Sequence, residues 1–164
     1  MQREKPPFRA DEVGSLLRSA PIKDARARRV QGAITADQLK EVEDREIEKI
    51  IKKQEEVGLQ SVTDGEYRRA WWHFDFFEGL TGVEGYTADH GIQFHGVQTK
   101  PRAVRIVGKI GFDGHPMLDH FRFLKANARV TPKMCIPAPA PNTACKAAVS
   151  SLSLIAVPVP CALT

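Results

Sequence analysis

Most of the features that announce a protein's chemistry are missing from this 164-residue chain. Its three cysteines, Cys135, Cys145 and Cys161, are odd in number and include no close pair. That argues against a disulfide framework and for a reducing compartment, so a cytoplasmic protein is expected. No stretch reaches the roughly 20 apolar residues of a membrane span, and the opening MQREKPPFRADE has no apolar segment of signal-peptide type. No membrane partner is expected. Cys-x-x-Cys and His-Glu-x-x-His are absent, and the histidines at 73, 90, 95, 115 and 120 show no familiar zinc spacing. His115 and His120 are five apart, which does not align them on one helical face. P-loop, dinucleotide and serine-hydrolase fingerprints are missing too. The net charge of +4 is mild, and basic residues alternate with acids, as in KEVEDREIEKIIKKQEE. That pattern is a solvated helix face, and no nucleic-acid partner is expected.

What is present is the composition of an ordinary globular chain, 42% hydrophobic and 27% charged. Residues 1–140 carry this balance. Residues 141–164, PNTACKAAVSSLSLIAVPVPCALT, hold one charge, Lys146, and two of the three cysteines, with neither helical nor alternating periodicity. The tail is expected either to pack as an apolar segment or to lie outside the fold as an out-of-frame or disordered end.

The body reads as alternating strands and helices. FRADEVGSLLR (8–18) is expected as a short strand, and IKDARARRVQGAI as a helix-like excursion. TADQLKEVEDREIEKIIKKQEEVGL is the clearest helix, opened by a Thr35/Gln38 capping box and closed by Gly58. Its apolar side would hold Leu39, Val42, Ile47, Ile50, Ile51 and Val57. LQSVTDGE then reads as a strand. GIQFHGVQTKPRAVRIVGKIGF suggests a two-stranded excursion with Pro101 at an edge. HPMLDHFRFLKANA reads as a helix with Pro116 in its first turn, and TPKMCIPAPAP begins as a buried strand. The order predicts an α/β fold with a parallel sheet.

In such sheets ligands sit at the carboxyl ends of strands. Two segments there have suitable chemistry. Gly14 and Ser15 offer a close backbone approach and a hydroxyl, although Ser15 also suits an ordinary turn. Asp64-Gly65-Glu66 offers two carboxylates, and Glu66 either receives a cation such as an amino group or serves as a turn acid paired with Arg68 or Arg69. Trp71, Trp72, Phe74, Phe76 and Phe77 suit a core cluster or a pocket wall. Cys135, near a strand end, is the one thiol in a plausible site position.

Taken together, FRADEVGSLLR, KKQEEVGLQSVTDGEYRRAWWHFDFFEGLTGVEG, FHGVQTKPRAVRIVGKI and HPMLDHFRFLKANARVTPKMCIPAPAP resemble the cobalamin-independent methionine synthase family over about residues 8–141. The similarity is closer to the stand-alone single-barrel homologues of its catalytic domain than to the long two-domain enzyme. The resemblance implies a TIM-type (β/α)8 barrel. A whole barrel takes roughly 250 residues, so residues 1–140 would supply a partial barrel of the first few βα units. It also implies a zinc-dependent methyltransferase that moves a methyl group from a methylated folate to the thiol of homocysteine. Gly14 and Ser15 would touch the amino-acid part of homocysteine and Glu66 its α-amino group, with Val13, Asp64 and Arg69 in support. The family's zinc ligands lie in later strands, so an incomplete and inactive fragment is expected. Two alternatives stand beside this one: a thiol-alkyl transferase acting on another small thiol such as coenzyme M, and a non-enzymatic α/β fragment that self-associates through open sheet edges.

Overall fold

The longest element is fixed at both ends by its sequence. In the computed structural model, which describes residues 13–71, 73–87, 102–137 and 154–158, helix α1 spans Ala20–Val30 and helix α2 spans Ala36–Glu56. The Thr35 hydroxyl accepts from the Gln38 amide at 3.1 Å, and the Gln38 side chain accepts from the Thr35 amide at 2.9 Å. Two otherwise orphaned N–H groups are thereby satisfied. Val57 caps the far end, and Gly58 follows it. In α1, Pro21 occupies the first turn, where its missing N–H costs no hydrogen bond.

The chain divides into two units, residues 1–68, 119–136 and 154–164 in the first and 69–118 and 137–153 in the second. The first unit packs its helices around a small sheet. Strand β1 is only Ser61–Val62, and β4, Thr131–Pro137, runs parallel to it with Ser61 opposite Thr131 and Val62 opposite Pro132. Strand β5, Leu154–Pro158, follows β4 in the sheet order β1-β4-β5. Helix α4, Pro116–Asn127, precedes β4 and lies mostly in this unit. Ile22 from α1, Ile47 and Ile51 from α2, Val62 from β1, Tyr67 and Leu124 from α4 form the core. Each fully buried aliphatic side chain there contributes about 1.5–3 kcal/mol by leaving water.

The second unit is built on α3, Phe74–Glu78, and an antiparallel pair, β2 (Thr81–Thr87) with β3 (Arg102–Gly111). The pairing slips between Thr81 and Val83, a bulge centred on Gly82 at φ +76. A Cβ at Gly82 would run into the Lys109 carbonyl of the facing strand, so glycine is required there.

Several expectations need correction. The described part of the predicted 8–18 strand, from Val13 to Arg18, is not a strand. The strand expected over LQSVTDGE shrinks to two residues, because the Gln54 side chain takes the backbone of Thr63: Gln54 Nε2 donates to the Thr63 carbonyl at 2.8 Å, and the Thr63 amide donates to Gln54 Oε1 at 3.0 Å. The first strand of the two-stranded excursion is Thr81–Thr87, upstream of the segment expected; residues 91–100 and Pro101 lie outside the described residues. Val57, placed on the apolar side of α2, is 63% exposed. Trp72, His90, His95, Cys145, Cys161 and most of the 141–164 tail also lie outside the described residues. The parallel β1–β4 pair and the mixed α/β class agree with the sequence reading. No helix among the described residues is long and apolar enough to cross a membrane.

Candidate functional site

Just past β1 the chain turns sharply, and residues 13–18 lie against that turn. The segment is tied on by side chains and one amide in place of a ladder. Thr63 Oγ1 donates to the Gly14 carbonyl at 2.7 Å and accepts from the Gly65 amide at 3.1 Å. The Leu16 amide donates to the Gly65 carbonyl at 3.0 Å, and the Tyr67 hydroxyl donates to the Leu17 carbonyl at 3.0 Å. From β4, Cys135 Sγ donates to the Val13 carbonyl.

These ties bring Gly14, Glu66 and Cys135 together. A Cβ built at Gly14 would lie 3.2 Å from Cys135 Sγ, 3.5 Å from Glu66 Oε1 and 3.5 Å from Thr63 Cγ2. Gly14 is buried, and its φ of +133 is open to glycine and strained for any other residue. Glu66 has φ +55, the one left-handed non-glycine among the described residues. A left-handed residue with a Cβ carries strain of order 1–2 kcal/mol, which its surroundings must overcome. Asp64 Oδ1 accepts from the Glu66 amide at 2.8 Å, an Asx turn that presets the bend. Arg18 donates to the Glu66 carbonyl at 3.3 Å.

The turn is braced from behind. Arg26 donates to the Tyr67 carbonyl at 2.6 Å and lies 3.5 Å from Glu43, whose carboxyl is pushed up by burial against the opposing pull of Arg26 and Arg68. Arg68 pairs with Asp44 at 2.6 Å and stacks on the Phe123 ring at 5.0 Å. Burial, with a smaller contribution from Glu46, raises the Tyr67 phenol.

Of the residues singled out from sequence, Val13, Gly14, Asp64 and Glu66 converge here. Ser15 is adjacent and exposed. Arg69 lies past the turn in the second unit, half-buried, where its charge acts on His73. Glu66 does not cap a helix, since α3 begins only at Phe74 with His73 as N-cap. Thr63 and Gln54 organise the site but were not among the site residues expected from sequence, although a threonine leading Asp-Gly-Glu at a strand end is a signal for the first. The aromatic run packs locally in the second unit. Phe76 lies 5.0 Å from the His115 ring, and Phe112 stacks on the same ring at 4.9 Å. Trp71 is 46% exposed.

The turn sets the Glu66 carboxylate beside the buried, side-chain-free backbone of Gly14. Zinc, which the family resemblance implies, finds no fit: no group of three or more His, Cys, Asp or Glu side chains that could hold a metal ion exists among the described residues. Cys135 has one carboxylate, Glu66, across the Gly14 contact and a carbonyl as its partner.

No family model matches the chain. It is 58% identical over 140 residues to the uncharacterised protein YxjG of Bacillus subtilis and 52% identical over 139 residues to YxjH of the same organism. These matches cover 85% and 84% of this chain, which spans only 37% of the length of each relative. A weaker similarity, 29% over 99 residues, reaches a 5-methyltetrahydropteroyltriglutamate–homocysteine methyltransferase of Bradyrhizobium diazoefficiens, covering 58% of this chain and 12% of that protein. Among solved structures, a Listeria monocytogenes crystal structure matches with TM-score 0.67 and 47% identity, over 81% of this chain and 37% of its own. That structure is provisionally named a vitamin-B12-independent methionine synthase, so the chain is similar in both sequence and fold to part of a methionine-synthase-like protein.

Proposed function

We propose that this chain carries the amino-acid-binding part of a methionine-synthase-like S-methyltransferase, with homocysteine as the thiol ligand. The observation that carries the reading is the Glu66 carboxylate, held in a left-handed turn against the Cβ-less face of Gly14. In this reading Glu66 pairs with the α-ammonium group, Ser15 contributes its hydroxyl to the ligand carboxylate, and Asp64 holds the Glu66 turn. Val13 holds the Gly14 segment through its carbonyl, which accepts from Cys135. The β1–β4 pair, joined through α4, is one βα unit of a (β/α)8 barrel. The similarity to a methyltransferase acting on homocysteine supports the ligand choice. A methylated folate is the methyl donor in this reading, and the residues named here bind and orient the amino-acid end.

Pairing at about 4 Å in a partly buried site is worth a gross ~4 kcal/mol at an effective dielectric near 20, before desolvation. A sulfonate thiol has no ammonium group to collect it. Isothermal titration with L-homocysteine and with 2-mercaptoethanesulfonate (coenzyme M) tests the assignment. Preference for L-homocysteine is expected. Preference for the sulfonate would replace this reading with a coenzyme M-type alkyl transferase.

A further inference from the structure

Thr63 joins the two halves of this site, its hydroxyl bonding to Gly14 on one side and to Gly65 on the other. It is 2% exposed, and its backbone N–H and C=O are both occupied by the Gln54 side chain, which also donates to the Ile50 carbonyl at 3.1 Å. Helix α2 therefore fixes the threonine itself. Its hydroxyl does two things at once: the proton goes to the Gly14 carbonyl and a lone pair receives the Gly65 N–H. A hydroxyl is a side-chain group that both donates and accepts at one atom with so short a reach. The peptide group is planar and trans, so holding the Gly14 carbonyl also fixes the direction of the Ser15 N–H. Holding Gly65 fixes the residue before Glu66.

We propose that Thr63 is a positioning residue of the amino-acid site. Its hydroxyl sets the spacing between the Gly14–Ser15 segment and the Glu66 carboxylate, and so selects ligands that carry an α-amino group beside a carboxylate. The proposal rests on the homocysteine reading above for its ligand. The structural hold by Thr63 is testable without any ligand.

The variants are Thr63→Val, which keeps the shape and removes the hydroxyl, and Thr63→Ser, which keeps the hydroxyl. Two readouts apply to the full chain. The first is the ratio of affinities for L-homocysteine and its desamino counterpart 4-mercaptobutanoate. The second is the rate at which N-ethylmaleimide alkylates Cys135, read by peptide mass spectrometry, since Cys135 is shielded where it meets Val13 and Gly14. Thr63→Val is expected to lower the discrimination ratio about tenfold and to speed alkylation of Cys135, whereas Thr63→Ser stays close to wild type in both. Wild-type discrimination in Thr63→Val, or a loss of discrimination in Thr63→Ser, overturns the proposal; the serine variant decides the matter even where the valine variant does not fold. Should the wild-type chain bind both ligands equally, the homocysteine reading fails. The alkylation rates then still judge Thr63, and an unchanged rate in Thr63→Val overturns its role.

Discussion

Replacing Gly14 by alanine perturbs the site at its tightest point. Two costs add. At φ +133 a side chain meets backbone strain of order 1–3 kcal/mol. The new methyl would also sit 3.2 Å from Cys135 Sγ and 3.5 Å from both Glu66 Oε1 and Thr63 Cγ2, inside a segment pinned on three sides. Overpacking of this kind costs about 1–3 kcal/mol. Gly14→Ala is therefore expected to destabilise the first unit by about 2–6 kcal/mol. Urea unfolding followed by far-UV circular dichroism, which reports α1, α2 and α4, reads this as a lower midpoint at constant slope. The two costs separate in a double-mutant cycle. In a Cys135→Ala background the sulfur contact is gone while the φ strain stays, so Gly14→Ala should cost less there by up to about 1 kcal/mol. A Gly14→Ala effect below about 0.5 kcal/mol, within the range of ordinary surface changes, would refute the close approach. An equal cost in both backgrounds would refute the role of Cys135 in it.

Further outcomes follow from other positions. His73 is 5% exposed, and burial, with the nearby Arg69 charge second, holds its pKa below the ordinary histidine value. The unfolded chain therefore takes up a proton near pH 6.5 while the folded one does not, so stability is present above that pH and lost as pH falls through it. Tryptophan-fluorescence urea midpoints at pH 7.5 and 5.5 should drop for wild type and drop less for His73→Gln; equal drops would contradict this. Gly79→Ala should unsettle the second unit by about 1–3 kcal/mol, because a Cβ there collides with the His115 ring, which is held by the Phe76 carbonyl at 2.9 Å and the Met117 amide at 3.1 Å. An unchanged fluorescence midpoint would show that the ring can yield. Thr35→Ala removes half of the capping box and should cost about 1 kcal/mol by the same unfolding measurement; a neutral result would mean that α2 is fixed by packing alone.

How much of this was legible in the sequence differs by element, for physical reasons. Helix α2 was plain, since Thr35, Gln38 and Gly58 signal its ends locally and the isoleucine spacing signals its buried side. Helix α4 was plain for similar reasons, with Pro116 opening it and Leu124 fully buried. Strand β2 was hidden because Gly82 and Gly85 depress any strand signal, yet both are demanded by close approach, Gly82 to the Lys109 carbonyl and Gly85 to the Glu78 side chain. The Val13–Arg18 segment reads locally as a strand, but its ties come from Thr63 and Cys135, 49 and 122 residues away along the chain. No local pattern records such a bond. The placing of Glu66 beside Gly14 was anticipated, and the threonine that sets their spacing was not.

The proposed role of Glu66 is to read an amino group. Calorimetric affinities of wild type and Glu66→Gln for L-homocysteine and 4-mercaptobutanoate measure that role directly. A loss of about 10- to 100-fold is expected for L-homocysteine, the worth of one charged hydrogen bond, with little change for the desamino thiol. Equal losses for the two ligands, or none for either, would contradict it.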